Sequence, residues 1–123
     1  MTGKAEQIEV AVESRSKARL VIYYGPEHQN LMTDFAVNMS TGGVFIETGT
    51  VLPVDTPLIL EFQLPGHDKR ITCRARVAWT NEPETLRKPG LPPGMGMQFL
   101  DLSLDNMHAI RQFLNKGHLV PTW

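Results

Sequence analysis

The chain has 123 residues, of which 41% are hydrophobic and 20% charged, and its formal net charge is -1. That length suits one domain with a proper core and is too short for two, and the composition is that of a globular protein. The near-neutral balance argues against a sequence-independent grip on long nucleic acid, which rests on many phosphate contacts, but it leaves room for a small anion held by a local arginine cluster.

Residues 1–14 are polar and weakly patterned, and they read as a flexible lead or a partner-binding tail. The N-terminal stretch has no long apolar run and no cleavage-site pattern, so it does not read as a signal peptide. The run ARLVIYY from Ala18 is rich in β-branched and aromatic residues, and GPEHQN closes it with turn residues, so a first strand and a turn are expected. LMTDFAV makes a second strand. The stretch NMSTGG then supplies turn chemistry, since Asn and Ser bond nearby backbone groups. It leads into a third strand, GGVFIET. TGTVLPVDTP is a loop broken by Pro53 and Pro57.

LILEFQL forms the fourth strand, with Leu58, Leu60, Phe62 and Leu64 on one face. After the turn PGHDKR, ITCRARVAWT gives the clearest alternation in the chain. Ile71, Cys73, Ala75, Val77 and Trp79 fall on one face, as in a half-buried antiparallel strand. This makes Trp79 a core anchor and puts Arg74 and Arg76 on an exposed face. A long loop rich in Pro and Gly follows, then a sixth strand, GMGMQFL, with Met95, Met97 and Phe99 directed inward. Ser103 is a good N-cap, and Asp105 suits a helix N-terminus. Leu104, Met107, Ile110 and Leu114 recur at helical spacing, and Gly117 is the expected stop. Trp123 ends the chain, exposed or docked on a partner. Six short strands and one helix predict a mainly β protein. Its six antiparallel strands would close into a barrel, which manages exposed edges, with a C-terminal α-helix over one end or face.

Nothing in the chain supports catalysis. His28, His67, His108 and His118 are scattered, and none pairs at metal-ligand spacing, so no metal site is expected. Cys73 alternates with core residues and reads as a buried structural thiol. One cysteine cannot form an internal disulfide, which fits a reducing compartment. No segment approaches the roughly 20 apolar residues a transmembrane helix needs. A cytoplasmic location is the resulting expectation.

The turn sequence gains context from what surrounds it. Asn38-Met39-Ser40-Thr41-Gly42-Gly43 fits a [D/N]-x-S-x-x-G pattern, and upstream Arg15-Ser16-Lys17-Ala18-Arg19 fits R-x-x-x-R. Together with LPVDTPLILEFQLPG, RARVAWT and GMGMQFLDLS in that order, these segments resemble the PilZ family, whose members include receptors for the bacterial second messenger cyclic di-GMP. The resemblance spans about residues 15–115. It implies a six-stranded antiparallel barrel with a C-terminal helix occupying residues 15–117, a tail at 118–123, and no cofactor beyond the ligand.

It further implies that cyclic di-GMP is bound by Arg15, Arg19, Asn38, Ser40, Gly42 and Gly43. An arginine fork matches the adjacent O6 and N7 acceptors of guanine, bonds phosphate and stacks on a base face. Asn38 and Ser40 would supply short polar groups, while the glycines keep the backbone open. Output would pass to an unidentified protein partner in motility, surface attachment or exopolysaccharide control, from a monomer or weak dimer. A second alignment stays open. With the first strand as anchor, Arg15 takes the second motif position and Ala11 the first, which breaks the motif. Some PilZ domains of that kind act as ligand-independent adaptors.

Overall fold

A computed structural model describes residues 20–27, 31–85, 88 and 90–116. Six strands and one helix follow in chain order: β1 (Leu20–Gly25), β2 (Met32–Met39), β3 (Gly43–Glu47), β4 (Pro57–Gln63), β5 (Arg70–Asn81), β6 (Gly94–Phe99) and α1 (Leu104–Asn115). The strands close into a barrel in the order β1-β2-β3-β6-β5-β4, and every pairing is antiparallel. Closure leaves no unpaired sheet edge to template association.

Period-2 alternation fills the interior. Leu20, Ile22 and Tyr24 of β1 meet Leu58, Leu60 and Phe62 of β4, Ile71, Cys73, Ala75 and Val77 of β5, and Met95 and Met97 of β6 in one core. Phe62 and Phe99 stack there with centroids 6.2 Å apart. Inward-facing Tyr24 keeps its polar tip satisfied by donating its hydroxyl to Asp34 Oδ2 at 2.6 Å.

Two interruptions break the alternation. In the β2–β3 ladder the register shifts between Ala36 and Asn38, and in the β5–β6 ladder between Val77 and Trp79. Each is a β-bulge, an extra residue that turns the rest of its strand to the other face. Val77 pairs with inward Met97, but Trp79 pairs with Gly96. Trp79 therefore lies on the outside of the barrel, not in the core where unbroken alternation puts it. The expected single face Ile71–Val77–Trp79 ends at Val77.

The helix also departs from its expected stripe. Ser103 caps it as the sequence suggests, its Oγ accepting from the Asn106 amide at 3.1 Å, with Asp105 in the first turn. The buried face is Ala109, Ile110 and Phe113, which join the barrel core. Leu104 is 81% exposed and contributes nothing to that face. Ile110 of the expected stripe is in the core and Leu114 packs partly buried against it, while Ala109 and Phe113 join from outside that stripe. Gly117, the expected stop, lies outside the described residues.

Close backbone approach explains one glycine directly. A Cβ on Gly94 would lie 2.0 Å from the Ile46 carbonyl oxygen and 2.8 Å from Phe45 Cζ. The carbonyl belongs to the facing strand and cannot give way. Gly94→Ala should therefore cost about 1–3 kcal/mol or more through overpacking. Urea denaturation checks this, and an unchanged midpoint would contradict the packing described.

Two buried acids give the fold an alkaline limit. Burial pushes the Tyr24 phenol from 10.0 up to about 12, with the bond to Asp34 adding to the rise and Thr48 opposing it. Burial likewise pushes the Cys73 thiol from 9.0 up to about 12, with a smaller push from Asp101. In both, the fold favours the neutral form, so this contribution is complete below the unfolded values and is lost as pH rises through the folded ones. The denaturation midpoint should fall between about pH 9 and pH 12. In Tyr24→Phe the fall above about pH 10 should become shallower, because only Cys73 still contributes there. A flat midpoint across the range would contradict the burial of both groups.

Candidate functional site

The NMSTGG segment joins β2 to β3. Its turn is held by its own polar groups. The Ser40 amide donates to the Gly43 carbonyl at 2.9 Å, and Ser40 Oγ accepts from the Gly42 amide at 3.1 Å. The Gly42 carbonyl in turn accepts from the Phe99 amide at 2.9 Å, which ties the turn to the end of β6. Ser40 thus makes the Ser-type turn its sequence suggests. A Cβ on Gly42 would meet only Ser40 Oγ, at an ordinary 3.7 Å. Space at this turn does not demand glycine there.

Asn38 owes its position to the β2 bulge. Ala36 faces Ile46 and Met39 faces Val44, all inward, while Asn38 stands opposite Phe45. Phe45 lies between the inward Val44 and Ile46, so it points outward, and directly opposed residues share a face. Uninterrupted alternation from Ala36 would have sent Asn38 into the core. The bulge moves it to the outer wall, where it is 2% exposed.

The β5 bulge has the same effect on Trp79. Phe45 pairs with Gly96, and Gly96 with Trp79. Asn38, Phe45, Gly96 and Trp79 therefore form one outer row across β2, β3, β6 and β5. The Phe45 and Trp79 rings stack at 4.9 Å and 15°. A Cβ on Gly96 would fall 2.2 Å from the indole Nε1, so the missing side chain is what lets the indole lie against the wall. Lys88 Nζ sits 4.9 Å above the same indole, a cation–π contact. The neighbouring outer row is Gly43, Gln98 and Arg76. Arg76 Nε donates to Gln98 Oε1 at 2.9 Å, and its Nη1 to Asp55 Oδ1 at 2.6 Å.

The loop that presents Lys88 hangs on Asn81, which is wholly buried. Asn81 Nδ2 donates to the carbonyls of Lys88, Leu91 and Pro92 at 3.2, 3.3 and 3.0 Å, and its Oδ1 accepts from the Lys88 amide at 3.0 Å. Sequence reading singled out Asn38, Ser40, Gly42 and Gly43 and missed Phe45, Trp79, Asn81 and Lys88 as parts of this wall. The cue for Phe45 was present: it lies between two core residues of a strand and so had to face outward. Arg15 and Arg19 lie outside the described residues. Among the described residues, no group of three His, Cys, Asp or Glu gathers as a metal site, and no helix is long and apolar enough to cross a membrane.

A closed six-stranded barrel with a C-terminal helix and an N-x-S-x-x-G turn on its outer wall defines a class of small receptor and adaptor domains. The chain belongs to the PilZ domain family, which it matches over residues 12–116. The Bacillus subtilis inhibitor of motility MotI/DgrA has a similar structure, with a TM-score of 0.60 at 20% sequence identity, over 80% of this chain and 48% of that one. The chain thus spans about half the length of that relative, and at this identity the likeness is one of fold. No curated protein matches the chain.

Asn81→Ala should leave the part-buried Leu91 and Pro92 carbonyls and the Lys88 amide without these bonds, while the Lys88 carbonyl keeps the Leu91 amide. It is expected to lower stability by at least about 2 kcal/mol, and to open residues 82–93 to limited proteolysis before the rest of the domain unfolds. Wild-type stability together with an unchanged cleavage pattern would show that Asn81 does not secure the loop.

Proposed function

We propose that this domain is a cyclic di-GMP receptor that passes its ligand state to a protein partner. The observation that carries the reading is the placement of the N-x-S-x-x-G segment. A bulge turns Asn38 to the outer wall, and a self-bonded turn fixes Ser40 and Gly43 beside it, in a chain of the PilZ family. A wall built on strands and a satisfied turn is preorganised, so little ordering cost falls on the protein side of this half of the site.

Cyclic di-GMP carries two phosphates and two guanines. Arg15 and Arg19 would close over it from the N-terminal segment, one fork on a guanine edge or phosphate and the other stacked on a base, roles that lysine fills poorly. The two ends of the site would then differ in kind: a fixed wall, and a segment whose arrangement would depend on the ligand. Differential affinity for two arrangements of that segment is what turns binding into a signal. The domain itself would be residues 15–117, with 1–14 as lead and 118–123 as tail. The fold shared with a motility inhibitor makes motility the first process to test.

A second reading, a ligand-independent adaptor, is favoured by one sequence observation: strand-anchored alignment puts Ala11 at the first motif arginine. Calorimetric titration of the full chain with cyclic di-GMP, with cyclic AMP and GTP as controls, separates the two. The receptor reading expects selective binding at micromolar concentration or tighter. It expects weakening in Arg19→Ala with the melting temperature kept, and a loss of about 1–3 kcal/mol in Ser40→Ala. No heat and no thermal shift at high ligand would leave the adaptor.

A further inference from the structure

The three arginines of β5 are not alike. Arg70 lies over the Tyr23 ring at 5.1 Å and has Glu61 at 3.9 Å. Arg74 is closed off by Asp101, whose Oδ2 accepts from its Nε at 2.9 Å and whose Oδ1 accepts from its backbone amide at 2.6 Å. The Asp101 carboxyl is accordingly held below its usual range, chiefly by the Arg74 side chain. Arg76 is different in both position and partners.

Arg76 shares an outer row with Gly43 of the motif turn, separated from it by Gln98 alone. Two strand spacings put the Arg76 and Gly43 backbones about 10 Å apart, a span that one face of a cyclic dinucleotide covers. Gln98 accepts from Nε and so aims the guanidinium along the wall, while Asp55 takes Nη1. Nη2 has no partner among the described residues, and neither does the Gln98 amide nitrogen. The hold of Asp55 is weak in kind. Its side chain is 76% exposed and that of Arg76 38%, and exposed pairs of this sort contribute little. A phosphate, or the paired acceptors of a guanine edge, would bond the same guanidinium through two parallel N–H groups, which is the stronger arrangement.

We infer that Arg76 is an arginine of the ligand site, reaching from β5 to bond a phosphate or guanine edge of a ligand seated on the Asn38–Gly43 turn, with Gln98 orienting it and Asp55 competing for it. The inference rests on the receptor reading above. It reverses the expectation that Arg76 merely decorates an exposed face. It also gives Asp55 a role: a carboxylate beside an anion site occupies Nη1 until the ligand displaces it. Asp55 sits in a turn at φ 75°, a conformation that asparagine also tolerates, so its charge can be removed without rebuilding the turn.

The test is calorimetric titration of the full chain with cyclic di-GMP, comparing wild type, Arg76→Ala and Asp55→Asn, with melting temperatures measured alongside. Arg76→Ala should bind roughly tenfold more weakly while melting near wild type. Asp55→Asn should bind about twofold tighter or more, because the competing carboxylate and its repulsion of the anion are gone. Wild-type binding with unchanged affinity in Arg76→Ala overturns this inference and leaves the receptor reading intact. Weaker binding in Asp55→Asn overturns the competition and makes Asp55 a positioning residue for Arg76. Absence of binding by wild type overturns the receptor reading, and the role of Arg76 falls with it.

Discussion

The outer wall of this barrel depends on two single-residue bulges. A β-ladder sends alternate residues to opposite faces, so one extra residue reverses every position beyond it. In β2 the reversal brings Asn38 out of the core, and in β5 it brings Trp79 out. The two bulged strands flank β3 and β6, and their reversed residues end in one row. Without the first bulge an amide would enter an apolar interior without partners of its own kind. Without the second an indole would compete for space already filled by Met95, Met97 and Val77.

Moving a large aromatic outside creates a second problem, that of exposed apolar area. The wall solves it locally. Phe45 and Trp79 bury each other by stacking, Gly96 leaves the indole a flat seat, and Lys88 covers part of what remains. Lys88 is brought there by a loop held through the four hydrogen bonds of Asn81. A buried amide with every partner satisfied specifies one loop conformation, whereas a half-satisfied one would be worse than an apolar residue. The outer shelf is thus a set of linked contacts fastened to the barrel from outside, distinct from the core that α1 completes.

The barrel itself was legible in the sequence because its signals are local and repeated. ITCRARV alternates cleanly, Pro and Gly mark the loops, and Ser103 caps the helix through a contact three residues long. The motif turn was legible for the same reason, since Ser40 bonds Gly42 within its own segment. The errors share a cause too. Trp79 follows Val77 in perfect alternation, and nothing in VAW announces an inserted residue; the shift exists only relative to β6. The buried stripe of α1 keeps Ile110 but is turned toward Ala109 and Phe113, which leaves Leu104 exposed; the angle at which the helix meets the barrel sets this, and it is not written in the helix's own spacing. Arg74 and Arg76 look equivalent as strand neighbours. Only tertiary pairing separates them, with Asp101 arriving from beyond β6 and Asp55 from before β4.

That separation bears on how a chain of net charge -1 could attract an anion at all. Global charge offers no steering, so attraction has to come from guanidinium groups whose charge is not already spent. Asp101 meets Arg74 with both carboxylate oxygens and leaves the pair neutral at short range. Asp55 meets one nitrogen of Arg76 at a solvent-exposed site, where salt and water weaken the contact and a better acceptor can replace it. Glycine at 43 and an amide at 98 leave the approach between that arginine and the motif turn low and polar. If the domain is a receptor as proposed, a wall of this kind would discriminate by geometry rather than by field: it would reward a ligand with acceptors at both ends and give little to a single anion, which could reach the turn or Arg76 but not both.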